Sequence, residues 1–280
     1  MKKAFFLLIF LFVSFPFFGN DHSPAGARSK GLGNASVTFC DTWSTIHNQA
    51  GLAFVTQASA AIYYENRFLL HQLSSRSAAL AIPLKTGTIG ISLRNFGYAL
   101  HHENAYSLSF AKRLSKVFSM GVALDYLHQA SSKENQHLAA IAGELGILVK
   151  LNKDLILGVH VYNPTRSSFR RVKSERVPTA MKLGINYSFS SKVSFMVETE
   201  KEISEKPQFK TGIEYQALPS FYLRAGMSTQ PLLSSFGIGL HLNNFQIDLS
   251  ANFHQDLGIT PQIGLNYLFV KKEKTDRGDL

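Results

Sequence analysis

Three stretches carry residue types that could do chemistry. His101, His102 and Glu103 put three metal-ligating types in a row. Adjacent residues of a strand point to opposite faces, so both imidazoles cannot close on one ion there, and a solvated loop is the plainer reading. Gly31-Leu32-Gly33 begins like a phosphate loop, but Ser36 stands where the third glycine belongs and no strand-loop-helix unit surrounds it. Ser, His and acidic residues are scattered through the chain without the spacing of a nucleophile and its base. The single cysteine, Cys40, supports neither a disulfide framework nor a thiolate zinc site, and reads as a small buried residue. The expectation is no enzyme, no cofactor, no metal ion and no nucleic-acid partner.

A different set of charges is more orderly. Arg94, Asp125, Glu144, Lys182, Glu198, Lys210, Glu214, Arg224 and Asp248 all fall on the polar face of segments that alternate apolar and polar. In residues 243–254, Phe245, Ile247, Leu249, Ala251 and Phe253 occupy one face, and Gln246, Asp248, Ser250, Asn252 and His254 the other. Residues 181–189 and 261–269 repeat the pattern, which is the period of a strand with unlike sides. A charge facing lipid costs about 2–4 kcal/mol near the midplane, so in a membrane barrel these nine side chains point inward. Both signs are present, which suits pairing across a lumen better than a one-signed ion filter.

The elements that would position them number fourteen. Alternation and turn signals place strands at about 58–67, 76–83, 87–96, 103–113, 116–128, 138–150, 154–162, 179–189, 192–200, 207–217, 220–228, 234–242, 244–253 and 260–269. Many have the ten or so residues of a tilted membrane strand. The connections after the even-numbered strands are tight, and those after the odd-numbered ones are longer and more polar. The expected fold is all-β: a transmembrane antiparallel barrel with short turns at one end and long loops at the other. One such loop, 163–178, carries Arg166, Arg170, Arg171, Lys173 and Arg176 against Glu175, and on an outward end it would meet a phosphate-rich leaflet or an acidic partner.

Composition agrees. Only 17% of the 280 residues are charged, against about 25% in soluble domains, while 22 Phe and 10 Tyr make the chain aromatic-rich. Lys2 and Lys3 precede an apolar run, as in a secretory signal peptide cut near residue 20. The organisation expected is a signal peptide at 1–20, a plug at 21–56, the barrel at 57–270 and a charged tail at 271–280. The plug follows from size, because fourteen strands enclose more space than their side chains fill. Residues 21–56 are small, polar and glycine-studded. Inward glycines of the strands (Gly90, Gly121, Gly143, Gly146, Gly158, Gly184, Gly212, Gly226, Gly237, Gly239 and Gly264) would let that backbone approach closely. Trp43 would pack the plug on the wall.

Residues 26–53 resemble the N-terminal signature of FadL-like outer-membrane proteins, and most of all their PorV/PorQ-type relatives of Bacteroidetes. Gly26-Ala27-Arg28, then Gly31, Gly33, Asn34 and Ala35, then Asp41, then Asn48, Gln49, Ala50 and Gly51 before Leu52 follow the family's order. The departure is Gln49, where the family usually has proline, a residue that fixes φ. The resemblance implies an integral barrel of a Gram-negative outer membrane in contact with its lipid. Two roles follow. One is an accessory of protein secretion or surface assembly of the type IX kind, with secretion-system or exported proteins as partners. The other is passive transport of small hydrophobic compounds. Short loops and Gln49 favour the first; the family fold favours the second. An apolar, Phe-rich pocket near the outer mouth would speak for transport, and a sealed, charge-paired lumen for the partner role.

Overall fold

The computed structural model describes residues 24–131, 136–169 and 176–269. The expected signal peptide and charged tail, and Arg170, Arg171, Lys173 and Glu175 of the basic loop, lie outside the described residues.

Fourteen strands close into one antiparallel barrel in which each pairs with its sequence neighbours and the first pairs with the last. They are β1 (Ser59–Asn66), β2 (Ser74–Pro83), β3 (Thr88–Tyr98), β4 (His101–Arg113), β5 (Phe118–Ser131), β6 (Gln136–Lys150), β7 (Leu155–Tyr162), β8 (Ala180–Ser188), β9 (Val193–Glu202), β10 (Gln208–Leu218), β11 (Phe221–Ser228), β12 (Leu233–Leu242), β13 (Phe245–His254) and β14 (Gly258–Leu268). Closure leaves no strand edge unpaired, the condition for a sheet to cross lipid. No helix among the described residues is long and apolar enough to cross a membrane.

The register stacks outward side chains into rows. Ile62, Ala78, Leu93, Tyr106, Tyr126 and Ile141 lie opposite one another from β1 to β6. The next row on β2–β5 is Leu80, Ile91, Leu108 and Leu124. Most of these side chains are exposed, as are Phe236, Leu249, Phe253 and Ile263 on the far wall. An apolar exterior around a polar interior is the inverse of a soluble fold. The strand at 76–83 alternates weakly for a visible reason. Its inward Ala79 and Ala81 pack on apolar groups, so both of its faces are apolar.

Two expectations need correction. The connections do not sort into short turns and long loops as the sequence suggested. Residues 97–98, 101–104, 129–131 and 136–137 belong to strands, so β3 and β4 are joined by only residues 99–100. Between β7 and β8 lies a longer connection, of which residues 163–169 and 176–179 are described. Polar residues there read as loop, whereas tall hairpins rising past the apolar rows also expose polar side chains. The end carrying these hairpins and the 163–179 connection is called the mouth below. Gly143 is also not inward. It pairs with the outward Leu124, and a methyl built on it would find nothing nearer than 3.9 Å. Gly143 and Gly146 are three residues apart, so a period of two cannot turn both inward.

Candidate functional site

The lumen is occupied by residues 24–56 of the chain itself. Helix α1 (Ala27–Gly31), helix α2 (Ser44–His47) and a 3-10 turn (Gln49–Phe54) are its regular parts, and nearly all of it is buried. It runs along the wall in a definite direction. Ala27 meets Gly264 of β14, Gly31 meets Gly237 of β12, and Leu32 and Gly33 meet Gly226 of β11 and Gly212 of β10. Val37 lies on Gly158 of β7 and Gly184 of β8, Asn48 and Ala50 on Gly146 of β6, Gln49 on Gly121 of β5, and Leu52 on Gly90 of β3. Between these two wall runs, residues 42 and 43 reach the closing seam. The Thr42 hydroxyl bonds Ser59 Oγ at 2.7 Å and Asn266 Oδ1 at 3.0 Å, and Trp43 packs edge-on to Tyr63 of β1.

Bare backbone on the wall is what permits this approach. A methyl on Gly226 would lie 2.2 Å from the Gly33 nitrogen, and one on Gly158 2.5 Å from the Val37 oxygen. Gly33 itself has φ +64°, and a side chain there would meet the backbone of Met227 and Thr211 at 2.6–2.7 Å. The glycines of the phosphate-loop-like stretch therefore serve wall contact. Asn34, also left-handed with φ 68°, turns the chain beside them.

The nine charges read from alternation sort into groups around this segment. Arg28 donates to Glu214 from Nε at 2.9 Å and from Nη2 at 2.7 Å, and to Asp41 at 3.1 Å. Arg224 donates to Glu214 and to Asp248, both at 2.6 Å. These five side chains form one continuous network from Asp41 in the segment to Asp248 in the wall. Glu198 accepts the backbone N–H groups of Ser36 at 2.7 Å and Val37 at 2.8 Å, and pairs with Lys210 at 3.0 Å. Lys210 also binds Glu200, which has Lys182 at 3.9 Å. Glu144 accepts from Gln49 Nε2 at 2.6 Å and lies 2.7 Å from His160 Nε2. Asp125 is fully buried opposite Ser107, and Arg94 faces the same lumen beside Glu144 and His160.

Some ties were absent from the sequence reading. Glu65 pairs with Lys30 at 3.0 Å, accepts from Tyr63 at 2.5 Å and also binds Arg67. Glu65 and Glu200 share faces with Tyr63 and Glu198, so alternation carried to the strand ends would have found both. Gln49 is the clearest case. Its amide reaches a buried carboxylate, a contact that a proline could not make. Asn48 likewise holds the 3-10 turn, donating to the Val37 and Ile147 carbonyls at 2.8 and 3.1 Å and accepting from Ala50. His47 is buried, and desolvation pushes its imidazole down to about 3, so it is neutral and donates from Nε2 to the Ala25 carbonyl at 2.8 Å. Cys40 is only half-buried and free.

Above the segment, toward the mouth, lies a cavity of about 740 Å³. Pro24, Lys30 and Asn34 form its floor, and Phe68, Leu73, Phe96, Pro231 and Leu233 contribute apolar wall among charged neighbours. The long connection folds in beside it. Phe169 and Val177 pack with Leu127, Leu138 and Tyr162 inside the lumen, and a narrower space runs from Phe96, Phe169 and Leu127 down to Ala25 and Tyr63. His101 faces this cavity and His102 faces outward, so the two do not converge. No group of three metal-ligating side chains occurs among the described residues.

No protein-family model matches the sequence, and no curated protein matches it. Solved structures do match in fold. The TodX monoaromatic hydrocarbon channel deltaS2 mutant aligns with a TM-score of 0.70 at 12% identity, over 89% of this chain and 100% of that one. The toluene transporter TbuX of Ralstonia pickettii aligns at 0.68 and 11% identity, over 89% and 100%. A FadL homologue of Pseudomonas aeruginosa aligns at 0.65 and 11% identity, over 88% and 98%. At such identities the likeness is one of fold, and the fold is that of the FadL-like barrels.

Proposed function

We propose that this chain is an outer-membrane channel for passive uptake of small hydrophobic compounds, with residues 24–56 as its internal plug. The observation that carries the reading is the space at the mouth, where Phe68 and Phe96 line the larger cavity and Phe96 and Phe169 the narrower one, directly above a segment held in the lumen by non-covalent contacts up to its junction with β1. Most of the larger cavity's lining is polar or charged, so a small apolar ligand would rest on the apolar patch that Phe68, Leu73 and Phe96 form within it. The fold neighbours named as toluene and monoaromatic hydrocarbon transporters support the same class. The mouth faces the exterior, and the turns at 84–87, 114–117 and 151–154 face the periplasm.

A charge-paired lumen, which would have spoken for a secretion accessory of the PorV/PorQ type, has another explanation. Glu214, Glu198 and Glu144 bind the plug, and nothing in the comparisons points to secretion partners. Passage then requires the plug to shift, because it lies against wall glycines from β3 round to β14. The test is uptake of a radiolabelled monoaromatic hydrocarbon by cells that lack such a channel and express this chain. Uptake above cells carrying an empty vector is expected. Uptake equal to that control, with the barrel shown to be folded in the outer membrane, would overturn the proposal.

A further inference from the structure

Just above the apolar rows, on one wall only, the exterior changes character. Arg76 of β2, Asn95 of β3, Asn104 of β4 and His128 of β5 lie opposite one another in the register, one row nearer the mouth than Leu93, Tyr106 and Tyr126. They are joined. Arg76 donates to Asn95 Oδ1 at 3.3 Å, and Asn95 donates to Asn104 Oδ1 at 2.9 Å. His102 and His137 flank His128, with ring centroids 6.3 and 5.8 Å from it. Among the described residues, no Asp or Glu faces outward anywhere on β2 to β6, because Glu103, Asp125 and Glu144 all turn into the lumen. On the far wall, the mouth-end exterior is instead Phe209, Met227 and Phe253, with Lys201 of β9 as the lone outward cation on the described strands there.

We infer that this row is a docking surface for the phosphate groups of an outer-leaflet glycolipid. Height is the first reason. Tyr106 and Tyr126 pack together as interfacial aromatics do, so the next row lies where lipid headgroups begin. Charge is the second. Arg76 carries the positive charge of this row, no carboxylate shares that exterior, and the three imidazoles beside it supply further N–H donors suited to a phosphate. Donor geometry is the third. The chain of amides holds Arg76 with one N–H on Asn95, and the other four of its five N–H groups remain available to a phosphate. The lipid would bind β2 to β6, the side with the tallest hairpins. The inference uses the outward placement of the mouth from the proposed function, but it does not require transport.

Native mass spectrometry of the purified full chain tests it with two probes, bisphosphorylated lipid A and its dephosphorylated form. The phosphorylated lipid should be retained about tenfold more than the dephosphorylated one, the order expected when charge-assisted hydrogen bonds distinguish the two. The double variant Arg76→Ala with His128→Ala should lose about that tenfold preference. Lys201→Ala, which removes an outward cation on the other wall, should keep it. Millimolar inorganic phosphate should not displace the lipid. Heat-shifted gel mobility reports that each variant is a closed barrel. Equal retention of the two lipids, a double variant that behaves as the parent, or displacement by inorganic phosphate would each overturn the lipid site. A chain that fails to take up hydrocarbon yet shows the lipid preference would sink the transport reading alone.

Discussion

Gly226→Ala and Gly143→Ala make the same chemical change with opposite expected consequences. At Gly226 the new methyl would lie 2.2 Å from the Gly33 nitrogen and 2.3 Å from the Leu32 carbonyl carbon, both backbone atoms. Relief therefore requires a displacement of roughly 1 Å, since ordinary carbon contacts begin near 3.5 Å. Overpacking of this kind costs about 1–3 kcal/mol. The wall is locked into a closed ladder, whereas the plug is held by side chains. The plug is accordingly the part that moves. At Gly143 the same methyl meets nothing within 3.9 Å, and removing a glycine from a strand gains about 0.5–1 kcal/mol.

Two assays read the pair. Unfolding in urea from lipid vesicles should place Gly226→Ala below the parent in stability and Gly143→Ala level with it or above. In planar bilayers the parent should conduct little, Gly226→Ala should show a raised and fluctuating conductance, and Gly143→Ala should match the parent. If Gly226→Ala is as stable and as silent as Gly143→Ala, the wall glycines are not what seats the plug, and the argument for a tightly fitted segment fails.

Other outcomes follow from the same contacts. Deleting residues 24–56 should leave a barrel that shifts on gels when heated and conducts steadily; a folded but silent deletion would mean the segment does not block the lumen. Glu198→Leu leaves the Ser36 and Val37 amides buried without their acceptor, a loss of about 2–6 kcal/mol. Its bilayer currents should flicker, while Glu198→Gln, which keeps a carbonyl oxygen, should be milder. A tag after Ser168 should be labelled on intact cells and one after Asn152 should not, and reversed labelling would invert the orientation. His47 is held below its unfolded pKa of about 6.5. The unfolded chain then binds the extra proton between about pH 6.5 and pH 3, so stability falls as pH drops through that window. Unfolding midpoints of His47→Gln should depend less steeply on pH there, and an unchanged slope would remove His47 from the account.

The strands were legible because a barrel wall imposes one rule at every position. Phe245, Ile247 and Leu249 must face lipid, and Asp248 must not, so period-two alternation survives in residues 243–254 even without a conventional core. The same rule placed the nine lumen charges without any knowledge of their partners. Legibility failed where a second surface intervened. Ala79 and Ala81 face the plug, so β2 lost its alternation. The strand ends at 97–98, 101–104, 129–131 and 136–137 rise above the apolar rows, and polar residues facing both ways there are indistinguishable from loop. Pairings such as Gln49 with Glu144, 95 residues apart, depend on how the plug is threaded, and no local period encodes that.

The plug and wall also explain why a channel proposed for apolar cargo carries so many buried charges. A segment held by apolar contacts alone would compete with any apolar compound for the same surface. Here its apolar contacts with the wall are supplemented by charged ties: Arg28 to Glu214, Lys30 to Glu65, Glu198 to two amides, Gln49 to Glu144. The apolar groups of the mouth, Phe68 in the β1–β2 connection, Phe96 in the wall and Phe169 in the long connection, lie outside the plug. The aromatic groups of the mouth are thus separate from the contacts that retain the plug, so a compound can fill the mouth without displacing the seal. Replacing all three phenylalanines by alanine should therefore abolish hydrocarbon uptake and leave bilayer conductance at the parent's low level. A rise in conductance in that variant would show that the aromatic groups hold the plug, and the separation argued here would be wrong.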